Sequence, residues 1–144
     1  MSEKANQIKP LRARMLMHAH TPRGWKVVMG RNPYQRGASG LCDFAARTIH
    51  VPYVCDDYSL GVFFHEAAHA RLHRNDTRPN HLIEFEAERE AHAYMRECGF
   101  VVTRFILRAG KEYVSACIIE DEGKGLPIDP TAKRWVGKTH HCRW

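Results

Sequence analysis

The stretch Tyr58-Ser59-Leu60-Gly61-Val62-Phe63-Phe64-His65-Glu66-Ala67-Ala68-His69 decides how this chain reads. Leu60, Phe63, Phe64, Ala67 and Ala68 recur at helical spacing. They predict a helix with a broad apolar stripe, with Ser59 as its expected N-cap. His65, Glu66 and His69 form an HExxH pattern. On a helix, side chains four residues apart share a face, so His65 and His69 can hold one ion. Glu66 is one position along, beside the open side of that ion, where its carboxylate can take a proton from a bound water. A chain with 10 His and as many Glu gives about 0.05 chance matches to so short a pattern. The surroundings therefore have to carry part of the argument.

A hydrolytic zinc site takes a third protein ligand. The next helical segment, residues 82–95, contains neither Pro nor Gly. Pro79 and Asn80 are start signals for it, and Gly99 is a stop signal. Ile83, Ala87, Ala91 and Tyr94 make its inward stripe. Glu84 and Glu88 flank that stripe one turn apart, whereas Glu86 and Glu90 read as solvated positions. Glu84 and Glu88 are thus both candidate ligands.

His65-Glu66-Ala67-Ala68-His69-Ala70-Arg71-Leu72-His73 resembles the metal helix of ImmA/IrrE-like metallopeptidases, and ArdC-type antirestriction proteases have a similar helix. Glu84-Phe85-Glu86-Ala87-Glu88 resembles the second helix of these groups and of HtpX-like proteases, which reads Glu-x-x-Ala followed by Asp, Asn or Glu. The resemblance covers about residues 25–98. It implies an α+β fold: a small zincin-like domain with a short antiparallel sheet packed on the HExxH helix and a second, Glu-bearing helix. It implies Zn2+ held by His65, His69 and Glu84, with Glu88 behind them and Glu66 as general base. The implied reaction is hydrolysis of peptide bonds in a specific protein partner. A shifted match, Glu88-Arg89-Glu90-Ala91-His92-Ala93-Tyr94, would make Glu88 the ligand instead. His92 is atypical in that register, so Glu84 is preferred.

Around this centre the chain reads as short elements. Residues 25–29, 40–44 and 47–52 are expected strands, the last two as a hairpin, with 31–39 as a loop. The strand at 47–52 is the expected sheet edge for a substrate peptide, limited by Pro52. Residues 101–107 suit strand or helix. Residues 111–120 suggest helix, with Tyr113, Cys117 and Ile118 on one side. Asp129-Pro130 is a cap followed by Pro at the first position of a short helix to about Val136. The expected division is a basic segment at 1–24, the metallopeptidase domain at 25–122, and a loop, short helix and basic tail at 123–144.

Composition narrows the class. A chain of 144 residues can bury a proper core without staples. No apolar run suits a membrane span, and residues 1–10 lack the apolar centre of a signal peptide. The five cysteines are scattered and form neither a disulfide framework nor a CxxC ribbon of the kind SprT-like proteases carry. The expected home is the reducing cytoplasm. A net charge of +6 gathers at the termini: Arg12, Arg14, Arg23 and Lys26, then Lys133, Arg134, Lys138 and Arg143 with Trp135 and Trp144. Such clusters can bind nucleic acid, although a solvated basic surface is the simpler reading. His140-His141-Cys142 suits a tail better than a second metal site. His73 is a possible further ligand, and His81 and His92 possible cleft residues. His92, Tyr94 and Tyr53 are conceivable oxyanion donors, while His18 and His20 carry no motif. Two other readings stay open. One is a DNA-associated mobile-element protein of antirestriction or repressor-cleaving type. The other is a non-catalytic metal-binding module, against which Glu66 argues, since a scaffold needs no base.

Overall fold

The chain folds around the HExxH helix, α2 (Asp57–Leu72). Asp56 caps it: its carboxylate accepts from Ser59 N–H at 2.7 Å, and the Ser59 hydroxyl accepts from Asp56 N–H at 3.1 Å. Ser59 is therefore the third residue of a capping box and not the cap itself. Every residue from Phe63 to Ala70 is buried, so this stretch of the helix runs through the core with no solvated face. Phe63, Phe64, Leu60, Ala67 and Ala68 fill the apolar positions.

The computed structural model describes residues 5–30 and 40–137. Their remaining elements are α1 (Pro10–His20), β1 (Lys26–Met29), β2 (Leu41–Asp43), β3 (Thr48–Val51), α3 (Asn80–Glu97), α4 (Arg104–Gly123) and α5 (Pro130–Val136). The class is α+β, with one three-stranded sheet and five helices among the described residues. The expected loop at 31–39 and the tail with Lys138, His140, His141, Cys142, Arg143 and Trp144 lie outside them. No described helix is long and apolar enough to cross a membrane.

The sheet corrects two expectations. Its order is β1-β3-β2, with β2 antiparallel to β3 but β1 parallel to it, so the sheet is mixed and not antiparallel. The β2–β3 hairpin closes because the Asp43 carboxylate accepts from Ala46 N–H at 3.0 Å, and Arg47 takes a left-handed φ of 48°. β3 then lies in the middle, buried at Thr48, Ile49 and Val51. It cannot be the edge for a substrate, because β1 occupies its second side. β2 is the edge strand on the hairpin side.

Both ends of the described chain belong to this body. Residues 1–24 read as a separate basic segment, yet Ile8, Ala13 and Met17 sit in the main core with the α2 residues. Asn6 holds the first residue of α2 through two bonds to Asp57, at 2.8 and 3.0 Å. Arg12 lies over the Phe100 ring and donates to the Cys98 carbonyl. At the other end, Ala132 and Val136 of α5 pack with Phe85, Val114 and Ile118 in a second cluster. The ambiguous run at 101–107 enters α4. Thr103 caps that helix by accepting from Ile106 N–H at 3.3 Å, and Ile106, Gly110, Val114, Cys117 and Ile118 give it a buried face at helical spacing.

Candidate metal centre

α2 and α3 pack directly on each other and bring three expected ligands to one point. Glu84 Oε2 lies 2.8 Å from His65 Nε2 and 3.1 Å from His69 Nε2, and the two nitrogens are 2.9 Å apart. A tetrahedral ion with bonds of ~2.0–2.1 Å spaces its ligand atoms roughly 3.3 Å apart. The protein atoms are therefore close to the required triangle before any ion enters. Neutral rings that donate outward from Nδ1 leave three lone pairs facing one another here, and the two imidazole nitrogens can share at most one proton. The donor set, two imidazoles and one carboxylate, suits zinc. With protein groups alone, burial disfavours a charged His65, but its contacts with Glu84 and Glu88 outweigh that and raise its pKa well above the usual value. Burial pushes Glu84 upward, and the hydrogen bonds to His65 and His69 override it and hold the carboxyl well below its usual range. Positive charge is what this point favours.

Glu84 and Glu88 face opposite nitrogens of the His65 ring. Glu88 Oε1 lies 2.9 Å from His65 Nδ1, the nitrogen turned away from the triangle. The ring N–H is poorly aligned with that oxygen and forms no regular hydrogen bond. Even so, Glu88 favours the tautomer that leaves Nε2 free for an ion. His69 has its own support. Its Nδ1 is 2.9 Å from His73 Nδ1, and His73 Nε2 is 3.1 Å from Glu86 Oε1. The consistent proton assignment has His73 donating to Glu86 and accepting from His69, so that His69 Nε2 keeps its lone pair. Burial, helped by His69 and opposed by Glu86, lowers the His73 pKa and agrees with a neutral ring. His73 thus orients the His69 ring. Glu86, which reads in the sequence as a solvated position, anchors this chain together with Arg78. His73, Asp76 and Glu86 also come close enough to hold a cation, but the Arg78 guanidinium already pairs with both carboxylates.

Glu66 is buried beside the triangle, under the start of β2. A methyl group on Gly40 would come within 2.8 Å of Glu66 Cγ, so glycine lets the strand pass over the carboxylate. Burial pushes the Glu66 carboxyl up to about 7; His65 opposes the rise, and Glu84 and Glu88 add to it. Next to Glu66 and His65 opens a cavity of about 360 Å³ between α2, α3 and α4. His92 lines it, as expected of a cleft residue. Tyr94 does not: it packs on Phe64 and under Arg71. Tyr53 is 72% exposed and faces Gly30. The phenol at the site is instead Tyr113, whose ring stands 6.0 Å from that of His65. Burial of its hydroxyl end, then the charges of Glu84 and its neighbours, keep it protonated and a donor. The helical face shared by Tyr113, Cys117 and Ile118 is legible in the sequence; its orientation toward His65 depends on how α4 packs and has no local signal.

His81 is not a cleft residue. Its ring is buried between Asp121 and the backbone of Asp129. Compared with known protein families, characterised proteins and solved structures, the chain matches none.

Proposed function

We propose that this protein is a zinc-dependent peptidase that cuts peptide bonds in a specific protein partner. One observation carries the reading: His65, His69 and Glu84 converge on one point with a buried carboxylate, Glu66, at their side, and His65 and Glu66 also line a cavity. In this reading the domain is zincin-like and akin to the ImmA/IrrE-like metallopeptidases. Its support is the element order, a hairpin, then the HExxH helix, then a helix supplying the third ligand. A bound zinc ion would acidify water toward neutral pH and polarise a carbonyl. His65, His69 and Glu84 hold the ion. Glu66 takes the proton of the attacking water and delivers it to the leaving nitrogen. Tyr113 donates to the carbonyl oxygen as charge develops there. The substrate backbone lies along β2, the edge strand that passes over Glu66.

Glu66→Gln tests this directly, since it keeps the shape of the side chain and removes the base. Zinc content and melting temperature should stay at the wild-type level, while cleavage falls by roughly 10²-fold or more. The protein partner is found by co-expressing each form and comparing cellular proteomes for truncated proteins. Identical proteomes for the two forms would overturn the peptidase reading and favour a metal-binding module.

A further inference from the structure

The cavity beside Glu66 has walls and a floor of different chemistry. Tyr58 and Val62 of α2 face Ile106 and Ala109 of α4 across an apolar channel, and Gly61, Ala91 and Gly110 keep it open by their small size. The floor carries Glu88 and His92. Glu88 Oε1 lies 2.9 Å from His65 Nδ1, and Oε2 lies 3.4 Å from His92 Nε2. That nitrogen is buried and makes no hydrogen bond, in a ring that is only 3% exposed. The backbone of α4 comes so close that a methyl group on Gly110 would lie 2.5 Å from Glu88 Oε2. The chain has 22 Lys and Arg, yet among the described residues neither type lines the cavity. The described lining carries two glutamates, Glu66 and Glu88, and no lysine or arginine.

We propose that this cavity is a specificity pocket for a basic side chain, lysine or arginine, next to the scissile bond. The inference rests on the peptidase reading. The apolar walls accept the methylene stem, whose burial is favourable along its length. The cationic head reaches the Glu88–His92 floor, where it adds a well-aligned donor to Glu88 Oε2 beside the unbonded His92 Nε2. An acidic side chain meets like charge there, and an unbranched apolar one leaves the floor unpaired. The volume of about 360 Å³ accommodates a side chain of this length.

The test uses zinc-loaded protein and binding alone. Acetohydroxamate, which has no side chain, reports on the metal centre. Lysine, norleucine and glutamate hydroxamates share one α-amino group and differ only beyond the α-carbon, and each is titrated calorimetrically. Lysine hydroxamate should bind roughly tenfold or more tightly than norleucine hydroxamate, the size of one charge-assisted hydrogen bond, and glutamate hydroxamate should bind most weakly. Ala109→Phe, which fills the channel from a half-buried position, should erase these differences and leave acetohydroxamate binding unchanged. Val62→Phe serves the same purpose from α2 if the first variant does not fold. Binding of acetohydroxamate with equal affinity for all three side chains, or with norleucine or glutamate preferred, overturns the pocket and leaves the peptidase reading standing. Failure of every hydroxamate to bind zinc-loaded protein overturns both.

Discussion

At the start of α3, His81 donates from Nδ1 to Asp121 Oδ2 at 2.7 Å, and its Nε2 accepts from Asp129 N–H at 3.0 Å. One turn further along the same helix, Glu84 meets His65 and His69 at almost the same distances. Both clusters bury imidazole against carboxylate. The first is complete: each ring nitrogen has a partner of the opposite kind, and His81 N–H also donates to Asp121 at 2.8 Å. The second brings two nitrogens and a carboxylate oxygen face to face, with their outer nitrogens already turned to Glu88 and His73. Proximity of His and Glu is therefore not what marks a metal site. The mark is a set of lone pairs that neutral imidazoles, donating outward to Glu88 and His73, leave facing one another. The His81 cluster joins α3, α4 and the cap of α5, and needs no ion.

The largest expected effect separates the two clusters. His65→Ala with His69→Ala should abolish a zinc content of about one per chain in protein purified without added metal. Chelation of the wild type should lower its melting temperature, since binding to the native state alone stabilises it. Chelation of the double variant should change nothing. Full zinc retention in the double variant would move the metal elsewhere in the chain.

Next comes the order of the two glutamates. Glu84→Ala removes a ligand atom, whereas Glu88→Ala removes a group that orients His65, a loss of ~10–100-fold in affinity. Zinc titration with a competing chelator should rank Glu84→Ala as the weaker binder of the two. The reverse order would shift the register by one turn of α3 and make Glu88 the ligand.

This ranking also shows where the sequence is readable. His65, Glu66 and His69 are legible because three residue types at fixed helical spacing define a candidate ligand pair and a candidate base. Glu84 and Glu88 are only narrowed to a pair, since which of them reaches Nε2 depends on how α3 lies against α2. The hairpin is legible from its local turn, but the central place of β3 is not, because β1 pairs with it across a long stretch of chain. The capping box at Asp56 and the cap at Asp129 are local signals, and the sequence reading found the second and misplaced the first by three residues. His81 illustrates the limit: its partner Asp121 is 40 positions away, and no pattern links them. Gly40 and Gly110 matter through what passes beside them, Glu66 and Glu88, which only the packed structure displays.

Asp121→Asn tests the completed cluster. It keeps the size and removes the charge that accepts from His81, at an expected loss of about 1.5–3 kcal/mol. Zinc content should be unaffected. Burial alone would raise the Asp121 carboxyl, but the bonds from the His81 backbone and ring outweigh it and lower its pKa. A depressed carboxyl contributes stability in full above the unfolded value of about 3.9 and loses it as pH falls through the folded value. The gap between wild type and variant should thus be constant from about pH 5 to 8 and close below about pH 4 in denaturant titrations. Zinc-linked stability should fade at higher pH than this, because histidine ligands must be deprotonated to bind. A gap that tracked zinc content would mean that the two clusters are not independent.

The smallest effect belongs to a third cluster, which lies between the other two in kind. His73, Asp76 and Glu86 approach one another closely enough to hold an ion, and on proximity alone they would count as a second metal site. Arg78 is what makes the difference: it donates to both carboxylates, so the positive charge comes from the protein. Arg78 is nearly half exposed, and an exposed ion pair contributes ~0–1 kcal/mol. Arg78→Ala should therefore shift the melting temperature by no more than a few degrees. It should also leave affinity at the His65–His69–Glu84 site within about threefold, because His73 still bridges His69 and Glu86 at the inner end. Wild-type protein titrated with zinc should saturate its tight binding at one equivalent. A second tight equivalent in the wild type would show that Arg78 yields its carboxylates to a metal, and that the contrast between a satisfied cluster and a metal-seeking one is drawn in the wrong place.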